Sequence, residues 1–283
     1  MKQIKPFAVF ILLAMILSYV SPFAVSDIKT KCFTASEKIS AEIKEKTVML
    51  CEGDYVLFGR YLGEPILWRV VETDGKVLIV SEKILCFKAF DACGKNGNFH
   101  TSRESVLFGS GKWEESTLNQ WLNSDETEVT FSHCPPVKDS VFKGGNSYED
   151  EAGFLCDDNF THKEKELISG EGVFLPERKM LEKYFDKADL QKECTAEAIL
   201  TNESPYFLSY SRNVWYWTSS PVSYNDTGVV TVTSSGRFYK SLAYDSGTGV
   251  CPALYLTEKS VLCRDGNGTI EKPYKISGGK YEN

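Results

Sequence analysis

Between residues 54 and 82 apolar and polar positions alternate with a period of two, interrupted twice by turn residues. This predicts three strands, 54–61, 65–72 and 76–82. Gly63-Glu64 separates the first two, and Asp74-Gly75 is a hairpin turn between the second and third. Leu67, Arg69 and Val71 alternate with Trp68, Val70 and Glu72, so one face of the middle strand is apolar at its centre. Upstream, Phe33, Ile39, Ile43 and Val48 fall at loose helical intervals behind Thr34 or Ser36, predicting a short leader helix within 27–50. Residues 86–115 are rich in Gly, Asn and Lys and read as irregular. Ser116 caps a helix in which Leu118, Trp121 and Leu122 make an i, i+3, i+4 stripe. Short helices are expected over 162–168 and 176–185, with the apolar strand 173–175 between them. The C-terminal half returns to strands at 214–219, 228–233, 236–242 and 249–256, with Ser234-Ser235-Gly236 as a turn.

The pattern implies an α+β domain with few short helices and long loops, and long loops tend to carry function. Residues 124–160 read as a polar insertion that offers little to bury. The expected organisation is a signal peptide at 1–26, a leader at 27–52, a domain at 53–257 that holds the insertion 124–160, and a tail at 258–283. Lys2 and Lys5 precede the apolar run Phe7 to Val20, Pro22 breaks it, and Ala24-Val25-Ser26 supplies small residues for cleavage. An uncleaved membrane anchor is the competing reading of that segment. Export with cleavage predicts a secreted or cell-surface protein with no stable membrane insertion.

Removing residues 1–26 takes away two lysines and no acid, moving the formal net charge from −7 to −9. An acidic chain without a basic stripe argues against nucleic acid as a partner. Aromatic content of 13% suits a sizeable core with rings left over for recognition. All nine cysteines follow the signal segment, which in an oxidising compartment suggests disulfides and one leftover thiol. Counting leaves connectivity open; proximity favours Cys32–Cys51, Cys86–Cys93 and Cys134–Cys156. Closing the Cys134–Cys156 loop is worth about 3 kcal/mol in the chain-entropy picture. Cys251, in an apolar strand, is the expected unpaired thiol. No Cys-x-x-Cys occurs and His100, His133 and His162 are scattered, so zinc is not expected.

Five motifs stand in fixed order: Gly53 to Tyr61 (GDYVLFGRY), Pro65 to Val70 (PILWRV), Trp113 to Asn123 (WEESTLNQWLN), Tyr216 to Pro221 (YWTSSP) and Gly249 to Leu254 (GVCPAL). Together they resemble a bacterial family of exported domains of unknown function, from about Gly53 to Leu256. Asn159 to Ile168 is similar to the family's Lys/Glu-rich segment, and Asp265 to Tyr274 to its common ending. The insertion 124–160 is untypical, Cys251 stands where the family has arginine, and Thr218-Ser219 replaces a Leu-Arg pair. The last two motifs are also remotely similar to C-type-lectin-like domains, including the formylglycine-generating-enzyme branch. That resemblance implies twisted antiparallel sheets, termini paired in one sheet, and ligand-binding loops.

Candidate ligand contacts are Tyr206, Tyr210, Trp215, Tyr224, Asn225 and Asp226, since aromatic faces beside amides and hydroxyls suit sugar rings. Trp68, Trp121 and Trp217 are expected in the core. No cofactor is implied, with calcium at Tyr224-Asn225-Asp226 the one alternative. Asp265 to Glu271 spaces oxygens like a calcium loop but reads better as a β-turn. No carboxylate pair, nucleophile elbow or cysteine–histidine pair forms a recognisable catalytic frame. The expectation is a monomeric, non-catalytic module for a surface glycan or protein; the alternatives are an exported hydrolase, a formylglycine-generating-type enzyme, or a purely structural module.

Overall fold

The computed structural model describes residues 45–91, 103–132, 148, 151–202 and 214–277. Among them, thirteen strands form two sheets with few short helices between, a mixed α+β architecture. Strands β1 (Lys46–Met49), β2 (Tyr55–Tyr61), β3 (Glu64–Glu72), β4 (Val77–Ser81), β6 (Ile168–Phe174), β11 (Ala253–Leu256), β12 (Ser260–Asp265) and β13 (Tyr274–Ile276) make the larger sheet, in the order β1-β12-β13-β2-β3-β4-β11-β6. The smaller sheet holds β5 (Cys86–Phe87), β7 (Tyr216–Val222), β8 (Asn225–Val232), β9 (Phe238–Leu242) and β10 (Gly249–Val250), in the order β5-β10-β7-β8-β9. Pairing is antiparallel except at β13–β2 and β10–β7. The predicted meander is present as β2-β3-β4, each strand pairing with the next.

β4 shows how the core is arranged. All five of its residues are buried. Val77 and Ile79 join a cluster with Trp68, Trp121 and Trp217, whereas Leu78 and Val80 join a second with Phe87, Leu181 and Tyr216. A strand covered on both faces reads as a continuous apolar run. The tryptophans are buried, and each indole N–H donates to a backbone carbonyl: Trp68 to Phe58 at 2.7 Å, Trp121 to Ala152 at 3.0 Å, Trp217 to Lys88 at 2.8 Å. The motifs are thus joints between elements. Each large apolar body comes with one obligatory hydrogen bond that fixes where it sits.

The helices are α1 (Arg103–Phe108), α2 (Thr117–Leu122), α3 (His162–Leu167), α4 (Arg178–Tyr184) and α5 (Ala196–Thr201). Ser116 Oγ accepts from the Asn119 N–H at 3.1 Å, as its place before α2 predicts, and Leu118, Trp121 and Leu122 are all buried. Just past α2, the Asn123 amide makes two bonds to Val173, accepting its N–H and donating to its carbonyl, both at 2.9 Å. The side chain imitates a neighbouring strand along β6. Thr161 and Glu164 form a capping box at α3. Glu164 also accepts the Gly59 N–H at 2.9 Å, tying the capping box to the first motif. Gly59 has φ 66°, and an added Cβ would lie 2.2 Å from Cε1 of Phe160. Only glycine fits that bulge.

Several expectations are corrected. The last part of the predicted leader helix is β1, which pairs with β12; the rest of that segment lies outside the described residues. The predicted strand 249–256 is two strands in two sheets. Pro252 lacks an N–H and stands between β10 and β11, while its carbonyl accepts the Ser81 N–H at 2.9 Å. The stretch read as irregular contains β5 and α1. The insertion is not merely polar: Tyr148, Phe154, Cys156 and Phe160 are buried, with Phe154 packed on Trp121, Tyr61 and Phe160. Residues beyond 258 supply β12 and β13 to the larger sheet.

Six cysteines are described, all as free thiols: Cys51 exposed, and Cys86, Cys156, Cys194, Cys251 and Cys263 buried. No disulfide joins described residues. Each proposed pair has one member (Cys32, Cys93 or Cys134) outside them. Cys251 is buried as expected, its thiol donating to the Ser81 carbonyl at 3.2 Å. No described helix is long and apolar enough to cross a membrane.

Candidate functional site

β9 is an edge strand, and its alternation is the starting point. Phe238 and Lys240 lie on one face, opposite Val232 and Val230, and Tyr239 and Ser241 on the other, opposite Thr231 and Val229. On the first face the β7–β8 turn and the start of α4 leave an open groove of about 500 Å³. Its floor is Val230 and Phe238; its rim carries Tyr224, Lys240, Arg178, Lys179 and Glu177, with Ser220 and Ser223 between, and Tyr239 borders it at the strand edge from the opposite face. Tyr224 is 73% exposed and Tyr239 59%, high values for such large rings.

Two cations of this groove, Lys240 and Arg178, lie over aromatic rings. Lys240 Nζ lies 5.0 Å from the Tyr224 ring centroid, and its hydrogen bond to that phenol holds the ammonium above the ordinary lysine pKa. The Arg178 guanidinium stacks 4.9 Å over Phe238 and pairs with Glu182 at 2.8 Å. The Arg178 N–H donates to Ser220 Oγ at 2.9 Å, fixing the start of α4 against β7. Aromatic faces, hydroxyls and charged donors therefore border one concave surface.

Around the edge of β9 lies a second hollow of about 290 Å³, lined by Trp215, Lys240, Ser241, Asp245, Gly247 and Thr248. Trp215, 37% exposed, meets the Tyr239 ring edge-on with centroids 5.5 Å apart. A third hollow of about 250 Å³ sits between Tyr61, Glu64 and Lys83 and the start of α5 at Thr195 to Glu197.

The structure brings together part of the predicted set. Tyr224 lines the large groove and Trp215 the neighbouring hollow. Asn225 faces inward instead: its Oδ1 accepts the Thr227 N–H at 2.8 Å and the Thr227 hydroxyl at 2.7 Å, an Asx turn that shapes the hairpin. Asp226 is exposed, and its carbonyl accepts the Gly111 N–H at 2.6 Å. Tyr206 and Tyr210 lie outside the described residues. Among the described residues no cluster of three His, Cys, Asp or Glu side chains gathers to hold a metal. In the 265–271 loop, Asp265 accepts the Gly266 N–H and Asn267 accepts from Thr269, which is turn geometry. Sequence reading missed Tyr239, Lys240, Arg178 and Phe238. The available signal was the alternation of β9 beside the aromatic turn.

A separate polar cluster lies inside the core. The Lys88 side chain is fully buried, 2.5 Å from Glu151 and over the rings of Trp121 and Tyr148 at 4.7 and 4.5 Å. Tyr61 donates to Glu151 at 2.7 Å, and Tyr148 to the Ala89 carbonyl at 2.5 Å. Burial raises both phenols well above the ordinary tyrosine pKa and pushes the adjacent Cys86 thiol up to about 12. A thiol so raised is protonated and a poor nucleophile at neutral pH. This cluster docks Tyr148 and residues 151–160 onto the core; breaking its buried ion pair is costly.

No curated protein and no solved structure matches this chain. Residues 74–258 match the domain of unknown function DUF6273. The match opens at the β3–β4 hairpin, so the GDYVLFGRY and PILWRV strands precede it, although β3 pairs directly with β4. Since the match covers more than half of the sequence, the chain belongs to the DUF6273 family.

Proposed function

We propose that this protein is an exported binding module of C-type-lectin-like fold that takes a glycan in the groove beside β9. One observation carries the reading: Tyr224 stands exposed on a concave surface of about 500 Å³, bordered at the β9 edge by the exposed Tyr239, that also presents serine hydroxyls and charged donors. Sugars are bound through just this combination of ring faces and directional polar groups. The lectin-like part of the reading is supported by the pairing of the first described strand, β1, with β12 near the C-terminus. Secretion or surface display follows from residues 1–26, and the partner is a glycan or a glycan-bearing surface protein bound by a monomer.

The test is a glycan array probed with the chain from residue 27 onward, alongside Tyr224→Ala and Tyr239→Ala. Reproducible binding that falls at least tenfold in each variant supports the proposal. Binding that both variants retain places the ligand elsewhere, and turnover of an arrayed glycan would favour an exported hydrolase.

A further inference from the structure

Resting on that reading, we infer that the groove selects an anionic saccharide, one carrying carboxylate or phosphate groups. The chain as a whole is acidic, with net charge −7, yet the groove collects three cations, Arg178, Lys179 and Lys240, against one rim acid, Glu177. Arg178 is committed to Glu182. Among the described residues no acid forms an ion pair with Lys179 or Lys240, and Lys240 lies against the Tyr224 ring and phenol. Some other exposed lysines of this chain do find acids: Lys76 with Glu171, Lys112 with Glu115, Lys183 with Glu72.

The geometry suits a charged sugar. A ring stacked on Tyr224 leaves its acidic substituent beside the Lys240 ammonium, with Lys179 on the same rim, while Ser220 and Ser223 are there for the hydroxyls. Two lysines, not a bidentate arginine, supply the free charge. Point charges of this kind accept carboxylate and phosphate alike. A rim cation of this sort also steers ligand arrival and makes binding sensitive to salt.

The experiment uses an array of neutral, carboxylated and phosphorylated glycans, followed by titration with oligogalacturonate and its neutral methyl ester. The expected result is binding to acidic glycans, about tenfold weaker in the ester, weaker again in 0.5 M salt, and about tenfold weaker in K179Q/K240Q. The charge-retaining K179R/K240R should bind within twofold of the parent. Preference for carboxylate over phosphate, or the reverse, identifies which acid the groove takes. Equal binding of neutral and acidic glycans overturns this inference but leaves the glycan reading standing. Acidic binding untouched by K179Q/K240Q also overturns it, and no binding to any glycan overturns both. Both lysines are exposed, so an unchanged thermal midpoint verifies that the glutamine variant is folded.

Discussion

The tryptophan core and the β9 groove use the same residue types for opposite ends. In the core, Trp68, Trp121 and Trp217 are buried, with each indole N–H spent on a carbonyl, and the fully buried Lys88 is enclosed by two rings and a carboxylate. At the groove, Tyr224 and Tyr239 are largely exposed, and Lys240 touches a ring and makes no ion pair with a described acid. Satisfied aromatic residues hold a fold together; exposed ones next to free charge remain available for a ligand. The sequence motifs, two of which precede the family match at residues 74–258, fall mainly on the first side of this contrast: they encode architecture.

Perturbing the core should cost stability and leave the groove chemistry intact in whatever remains folded. Trp217→Ala is expected to have the largest effect, about 4 kcal/mol, through the cavity and the abandoned Lys88 carbonyl. Urea denaturation reads this directly, and a loss below about 1 kcal/mol would show that the indole is not a joint. Gly59→Ala should cost about 3 kcal/mol, combining the left-handed backbone with the collision against Phe160. Gly63→Ala provides the control: it also has positive φ, 85°, but nothing lies within 4 Å, so about 1 kcal/mol is expected. Equal losses at the two glycines would remove Phe160 from the explanation.

A gentler probe of the same core is alkaline pH. Burial raises the pKa of Tyr61, Tyr148 and Tyr216 and lifts Cys86 and Cys194 to about 12 and Cys263 to about 11. In the unfolded chain thiols ionise near 9 and phenols near 10, so above those values the unfolded state binds fewer protons than the folded one. Stability should therefore be intact below pH 9 and fall steadily as pH rises from 9 toward the raised values. Urea midpoints between pH 7 and 11 test the sign; a flat profile would mean these groups are not buried as described.

Legibility follows the same division. The meander, the Ser116 cap, the Trp121 stripe and the buried tryptophans were readable because local pattern and tertiary role agree there. The split at Pro252 was less readable, since an apolar run does not say which sheet it will join. β1 was missed because four residues with a single buried side chain, Val48, carry almost no periodic signal, and their strand character comes from pairing with β12. The insertion misled through its abundance of polar residues, while among its described residues Tyr148, Phe154, Cys156 and Phe160 are buried. At the site, Tyr224 and Trp215 were found from composition, whereas Tyr239, Lys240 and Arg178 are separated in sequence and meet only through the hairpin and α4.

The central claim is that the β9 groove binds and does not stabilise, and the Tyr224→Ala/Tyr239→Ala double variant tests it most directly. Measured side by side, its urea stability should stay within about 0.5 kcal/mol of the parent, because both rings are exposed. Its glycan affinity should fall by at least tenfold. Unchanged glycan binding, or a stability loss of several kcal/mol, would contradict the account.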